Sequence, residues 1–243
     1  MSGRLQDRVV LLTGATGGLG QAVARAVSAE GAEVVLLGRK VPKLNRLNDA
    51  LAAADGRPAI YPLDLEGATP EDYDALAVRI EEVFGRLDGI VHAAADMPGL
   101  TPLEHTRPLD FARAIHVNLT APALLTRACL PLLKRAPDAA VVFIGEDPTR
   151  VGRAHWGGYA VAKHGLAGLV AVWGDELLNT PVRVCGLQPG PMRTPLRGRA
   201  CFGENPAHWP EPAAYAPAVV ELLSADGAPW RGRMRELHID GVQ

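Results

Sequence analysis

Short apolar runs of strand length alternate with helical patterns along the whole chain, and that alternation restricts the fold more than any other feature. Strands are expected at 9–13, 33–38, 59–62, 90–93, 140–145, 182–188 and 236–239. Helical periodicity fills 19–29, 42–54, 70–84, 109–135, 156–178 and 213–223. Runs such as Val34-Val35-Leu36-Leu37 are apolar at every position, as in strands covered on both faces. Helices between such strands imply parallel pairing through right-handed crossovers. The expected architecture is one doubly wound α/β domain over residues 1–243, with a predominantly parallel seven-stranded sheet and helices on both faces. Pro122 and Pro131 predict a kink or an early stop within 109–135. Residues 191–212 break the rhythm with five prolines and three arginines. A long segment without periodicity is expected to serve as a mobile lid over a substrate site.

Charge and composition exclude several function classes. Lys and Arg number 25 against 27 Asp and Glu, a net charge of −2 that gives no overall attraction to nucleic acid or membrane. Aromatic residues make up 5% of the chain, too few to suggest a base-stacking platform. No apolar run approaches the ~18 residues of a membrane span. Cys129, Cys185 and Cys201 show neither paired nor metal-ligand spacing, so no metal site is expected and a reducing compartment is. The polar stretch 1–8 leads directly into a strand and lacks a signal-peptide pattern, so the expected location is cytoplasmic.

Two motifs carry the chemistry. Thr13-Gly14-Ala15-Thr16-Gly17-Gly18-Leu19-Gly20 follows the first strand and opens the first helix. Glycines there permit a tight turn and let backbone N–H groups approach a pyrophosphate at the helix N-terminus. Further on, Tyr159 and Lys163 stand four residues apart, on one face of a helix. A nearby ammonium favours the phenolate and would bring a tyrosine into the range of a general acid or base. Alone, the same spacing describes an ordinary helix surface.

Together with Asn118, these motifs resemble the short-chain dehydrogenase/reductase family, whose fold is Rossmann-like. The likeness spans essentially the whole chain and includes Asp64 in Leu63-Asp64-Leu65, Leu87-Asp88-Gly89, and Pro189-Gly190-Pro191-Met192-Arg193-Thr194. It implies hydride exchange between a nicotinamide dinucleotide and a small carbonyl or alcohol substrate. Tyr159 would be the acid–base residue, and Lys163 would hold the nicotinamide ribose and lower the phenol's pKa. Asn118 would hold a water in a proton relay through Lys163. Gly14, Thr16, Gly17, Gly18, Leu19 and Gly20 would cradle the phosphates, with Asp64 and Leu65 at the adenine. Ala93, Pro189, Gly190 and Thr194 would line the nicotinamide end. Competing readings make Asn118 a helix-interior amide bonded to backbone and Asp64 a turn or cap residue. Helices 109–135 and 156–178, apolar over more than one face, imply a homodimer or homotetramer as in relatives.

Gly38 ends the second strand where an NAD-preferring site usually has a carboxylate for the ribose 2′-OH. Arg39 follows, with Lys40 and Lys43 close by, so NADP(H) is favoured over NAD(H). Arg39 could otherwise be a solvated loop charge. Gly17 departs from this pattern, because NADP-binding relatives often carry a base there. The family's catalytic serine lies thirteen residues before the tyrosine, and Glu146 occupies that position. An ionised carboxylate cannot donate to a growing oxyanion; a protonated one could. In His92-Ala93-Ala94-Ala95 the bracing amide of relatives is missing at Ala93, and His92 is expected to be a packed, hydrogen-bonded residue. Arg150, Arg153, Arg193, Arg197 and Arg199 lie in loops expected to border the substrate, where convergence would favour an anionic or polar molecule. The departures keep a rival open: a dinucleotide-binding scaffold or redox sensor with little or no turnover.

Overall fold

Apolar strands that must bury both faces assemble here into one all-parallel sheet. The computed structural model describes residues 3–237 and Ile239. Its strands are β1 (Val9–Thr13), β2 (Glu33–Gly38), β3 (Arg57–Pro62), β4 (Gly89–His92), β5 (Ala139–Ile144), β6 (Val182–Gln188) and β7 (Met234–Glu236). They pair in the order β3-β2-β1-β4-β5-β6-β7, and every pair is parallel. The sheet is thus fully parallel among the described residues, beyond the expected predominance. The expected last strand at 236–239 shares only Glu236 with β7, and His238 lies outside the described residues.

The helices are α1 (Gly18–Ala29), α2 (Val41–Ala52), α3 (Pro70–Phe84), α4 (Pro108–Ile115), α5 (Ala121–Leu133), α6 (Pro148–Val151), α7 (Gly157–Glu176), α8 (Pro195–Ala200) and α9 (Ala216–Leu223). Alternate residues of each central strand feed opposite cores. Val10, Leu12, Val142 and Ile144 pack with α1, α2 and α9, whereas Leu11, Val141 and Phe143 pack with α3, α5 and α7. This two-sided burial explains why the strand sequences lack alternation. Local chemistry sets the ends of α3: Thr69 and Asp72 form a reciprocal cap, Pro70 occupies the first turn, and Gly85 closes the helix at φ +70°.

The expected helix over 109–135 is continuous in direction but divided. Between α4 and α5, residues His116–Thr120 form a π-helical turn. Pro122, two residues beyond its end, cannot donate a backbone hydrogen bond, which accounts for a wider turn there. Pro131 does not stop α5, which runs to Leu133. Residues 191–212 are not an irregular loop. They contain α8 and a 3-10 turn at Pro206–His208, and Arg193 N donates to Pro210 O at 2.9 Å.

Candidate active site

β1 and β4 are neighbours whose onward connections leave in opposite directions, opening a crevice at their carboxyl ends where ligands bind in such sheets. A cavity of about 660 Å³ lies there. Gly14, at φ +65°, starts the turn out of β1, and a Cβ on it would lie 2.6 Å from the backbone of Ala94. At Gly20 a Cβ would come within 2.2 Å of Gly14 O. The loop therefore folds against itself and against the chain leaving β4, leaving the N-terminus of α1 open to the cavity. Ala94 N donates to Thr13 Oγ1 at 3.2 Å, tying the two strand ends together where the sequence lacks the bracing amide at Ala93.

Gly14, Thr16, Gly17, Gly18, Leu19, Gly20, Arg39, Asp64, Leu65, Ala93, Lys163, Pro189, Gly190 and Thr194 all line this one cavity, as do Glu146 and Tyr159. Asn118 does not. It is buried in the π-helical turn, donating to Asp96 O at 2.7 Å and Ala114 O at 2.8 Å and accepting from Asp96 N at 3.2 Å. Those are the contacts of the helix-interior reading, and no hydrogen bond joins Asn118 to Lys163. Asp64 likewise has turn contacts, accepting from Glu66 N at 3.2 Å, and its carboxylate lies 3.6 Å from Arg39. Arg39 also approaches Glu66 at 4.0 Å.

Tyr159 and Lys163 occupy the first turns of α7, one above the other and both buried. The lysine Nζ donates to Ile144 O at 2.7 Å and lies 5.6 Å from the tyrosine ring centroid. The phenol donates to Glu146 Oε1 at 3.0 Å. Burial, then the charge and hydrogen bond of Glu146, push the phenol well above its ordinary range, against a smaller opposing effect of Arg150. Lys163 is not among these influences: the ammonium faces the ring and the carboxylate faces the hydroxyl. Burial pulls Lys163 itself down to about 8, with Glu146 opposing.

Of the five arginines, Arg150, Arg197 and Arg199 reach the cavity. Arg197 is engaged by Glu204 through two hydrogen bonds and stacks over Trp209. Arg193 pairs with Glu211, and Arg153 donates to Thr149 O, both away from the site. His92 is the packed residue expected: it bonds Thr126 Oγ1 at 2.8 Å, stacks on Phe143, and burial lowers its pKa to about 3. Asp96 and Tyr215 escaped the sequence reading. Asp96 holds Asn118 and Arg113, and Tyr215 donates to Pro191 O, fixing the turn after β6. Neither sits in a recognisable motif. Among the described residues, no cluster of three or more His, Cys, Asp or Glu could hold a metal, and no helix is long and apolar enough to cross a membrane.

A glycine cradle at the switch point of a parallel sheet, with tyrosine and lysine on the adjoining helix, defines the class of single-domain nicotinamide-dinucleotide oxidoreductases. The chain belongs to the short chain dehydrogenase family, whose model matches residues 8–201. It is 35% identical over 223 residues to the uncharacterized oxidoreductase YciK of Escherichia coli K12, covering 91% of this chain and 88% of that protein. A short chain dehydrogenase structure from Pseudomonas syringae superposes with a TM-score of 0.93 at 42% identity, covering 97% of this chain and 96% of that one. Another, from Shigella flexneri 2a and complexed with NADP, gives 0.93 at 32% identity over 97% and 99% of the two chains.

Proposed function

We propose that the protein is an NADP(H)-dependent oxidoreductase interconverting a carbonyl and an alcohol on a small molecule. One observation carries this reading: the glycine cradle, Tyr159 and Lys163 open into a single cavity. The residues fit a dinucleotide, since side chains at Gly14 and Gly20 would collide with backbone and distort the turn that presents the helix N-terminus. When bound, the cofactor supplies or accepts the hydride. Gly14, Thr16, Gly17, Gly18, Leu19 and Gly20 would hold its phosphates, and Asp64 and Leu65 its adenine. Ala93, Pro189, Gly190 and Thr194 would enclose the nicotinamide end, and Lys163 would bind the ribose. Arg39, with Lys40 and Lys43 lining the same cavity, supports preference for a 2′-phosphate. The NADP in the Shigella structure agrees with that choice.

Tyr159 handles the proton, and Glu146 stands where relatives place a serine, thirteen residues earlier and bonded to the phenol. Residues 191–212 act as the lid, with Leu196 and Ala200 packed near Tyr159. Free Cys129, Cys185 and Cys201 suit a reducing cytoplasm. One observation favours the rival of a binding protein with little turnover: the phenol proton is directed at a carboxylate rather than into open space. NADPH- and NADP-linked assays over a panel of secondary alcohols and ketones decide between them. Tyr159→Phe should retain NADPH binding and lose at least ~10²-fold in turnover. Activity surviving that change refutes the mechanism, and wild type that binds NADPH without turnover establishes the rival.

A further inference from the structure

Glu146 follows β5 and Tyr159 opens α7, and their side chains meet in a 3.0 Å hydrogen bond in which the phenol is the donor. The direction of that bond matters, because its acceptor is placed to take the proton that redox chemistry at a hydroxyl must move. The side chains of Asn118 and Lys163 bond to backbone rather than to the phenol. Both amide hydrogens of Asn118 go to backbone carbonyls, and its oxygen accepts from Asp96 N. Lys163 donates to Ile144 O. Glu146, by contrast, is only half-buried and lines the cavity, so it can exchange protons with water.

We propose that Glu146 is the proton acceptor of Tyr159, the two forming a dyad suited to an alcohol as the substrate to be oxidised. The proposal rests on the redox reading above. An alcohol gives up its carbon-bound hydrogen as hydride to the oxidised nicotinamide and its hydroxyl proton to Tyr159 Oη. In the same step the phenol's own proton crosses the existing bond to Glu146 Oε1. The products are a ketone, the reduced nicotinamide and a neutral carboxyl group, and the tyrosine ends as it began. Reduction runs the reverse path and needs a proton placed on Glu146 first, so it draws on acid whereas oxidation does not. A carboxylate beside the reacting oxygen opposes negative charge growing on a carbonyl, yet accepts the proton an alcohol must lose. Charged groups acting on the dyad are Arg150 on α6, which opposes the rise of the phenol and pairs with Asp147, and Lys163 on α7, which Glu146 favours as the cation; Arg197 and Arg199 on α8 and Asp96 after β4 line the same cavity.

The test reads the dyad without turnover first. Ionisation of Tyr159 in the cofactor-free protein is followed by tyrosinate absorbance, as wild type minus Tyr159→Phe. The same difference is taken in Glu146→Gln and Glu146→Ser backgrounds. Losing the carboxylate should move the Tyr159 midpoint to lower pH in both variants, and an unmoved midpoint overturns the dyad. The second reading is oxidation of cyclohexanol, or of whichever panel alcohol wild type turns over fastest. Glu146→Gln should lose ~10²-fold or more near neutral pH and recover as pH rises through the midpoint of Tyr159. Undiminished or faster oxidation in either variant overturns the relay, showing that Glu146 only obstructs the site. If wild type oxidises no alcohol while the midpoint still moves, the redox reading falls and the relay with it, though the bond between the two residues stands.

Discussion

Removing the Arg39 guanidinium puts the cofactor reading on a numerical footing. Arg39 sits just past β2, with Asp64 Oδ2 at 3.6 Å and Glu66 Oε2 at 4.0 Å, and its side chain is 58% exposed. Long, solvated pairs of this kind contribute about 0–1 kcal/mol. A charge-assisted hydrogen bond to phosphate contributes roughly 1.5–3 kcal/mol. Setting the weak pairs against the phosphate contact leaves about 0.5–3 kcal/mol, or roughly a 2- to 160-fold change in affinity. Arg39→Ala should therefore raise the Kd for NADPH within that range and leave NADH within about twofold, since NADH has no 2′-phosphate to lose. Fluorescence titration of both cofactors measures it, and added salt should narrow the difference between them. Arg39→Asp should reverse the preference. Equal losses for the two cofactors, or tighter NADH binding by wild type, would refute the reasoning.

Three further outcomes follow from the packing. His92 titrates at about 3 in the fold against about 6.5 unfolded, so below 6.5 the unfolded chain takes up a proton that the folded one does not. Stability should be full above that point and fall as pH drops toward 3, and His92→Gln should flatten the decline in urea midpoints between pH 7 and 5; parallel slopes would contradict this. Gly20→Ala forces a Cβ to within 2.2 Å of Gly14 O, and overpacking against backbone costs about 1–3 kcal/mol. It should lower the Tm by several degrees and abolish NADPH binding, whereas an unchanged melt and affinity would show that the loop yields. Leu109 on α4 and Val161 and Val172 on α7 are exposed, and sedimentation should give a dimer or tetramer of the 25.7 kDa chain; a monomer at micromolar concentration would dismiss this.

The strand runs were legible because sheet burial is recorded directly in composition: Val141 to Ile144 must be apolar at every position when both faces are covered. Helix boundaries came within a few residues wherever a stop had its own chemistry, as Gly85 does after α3. The π-helical turn at His116–Thr120 was not legible, since its cause is a backbone compromise ahead of Pro122 rather than a hydrophobic period. Residues 191–212 offered no periodicity and read as a mobile lid because their order comes from contacts between non-periodic partners, notably Arg197 with Glu204 and Trp209. At the site, spacing placed Tyr159 and Lys163 on one face and the glycines at one crevice. What spacing could not give was the direction in which Lys163 points. Its amine turns to Ile144 O, and the tyrosine hydroxyl turns to Glu146. Side-chain orientation of this kind depends on which carbonyls and carboxylates arrive from other strands, and no local pattern encodes that.

The small apolar cluster of Met97, Val151, Tyr159, Ala160 and Ala200, flanked by Trp156 and Leu196, joins α8 to the Tyr159 phenol. Burial is the largest influence on that phenol, and Ala200 of α8 is among the residues that bury it. Were α8 displaced, water would reach the phenol and the part of its burial that this helix supplies would be lost. Access and acidity then share one coordinate. A substitution that loosens α8 would therefore bear on Tyr159 as well as on the segment that carries the helix.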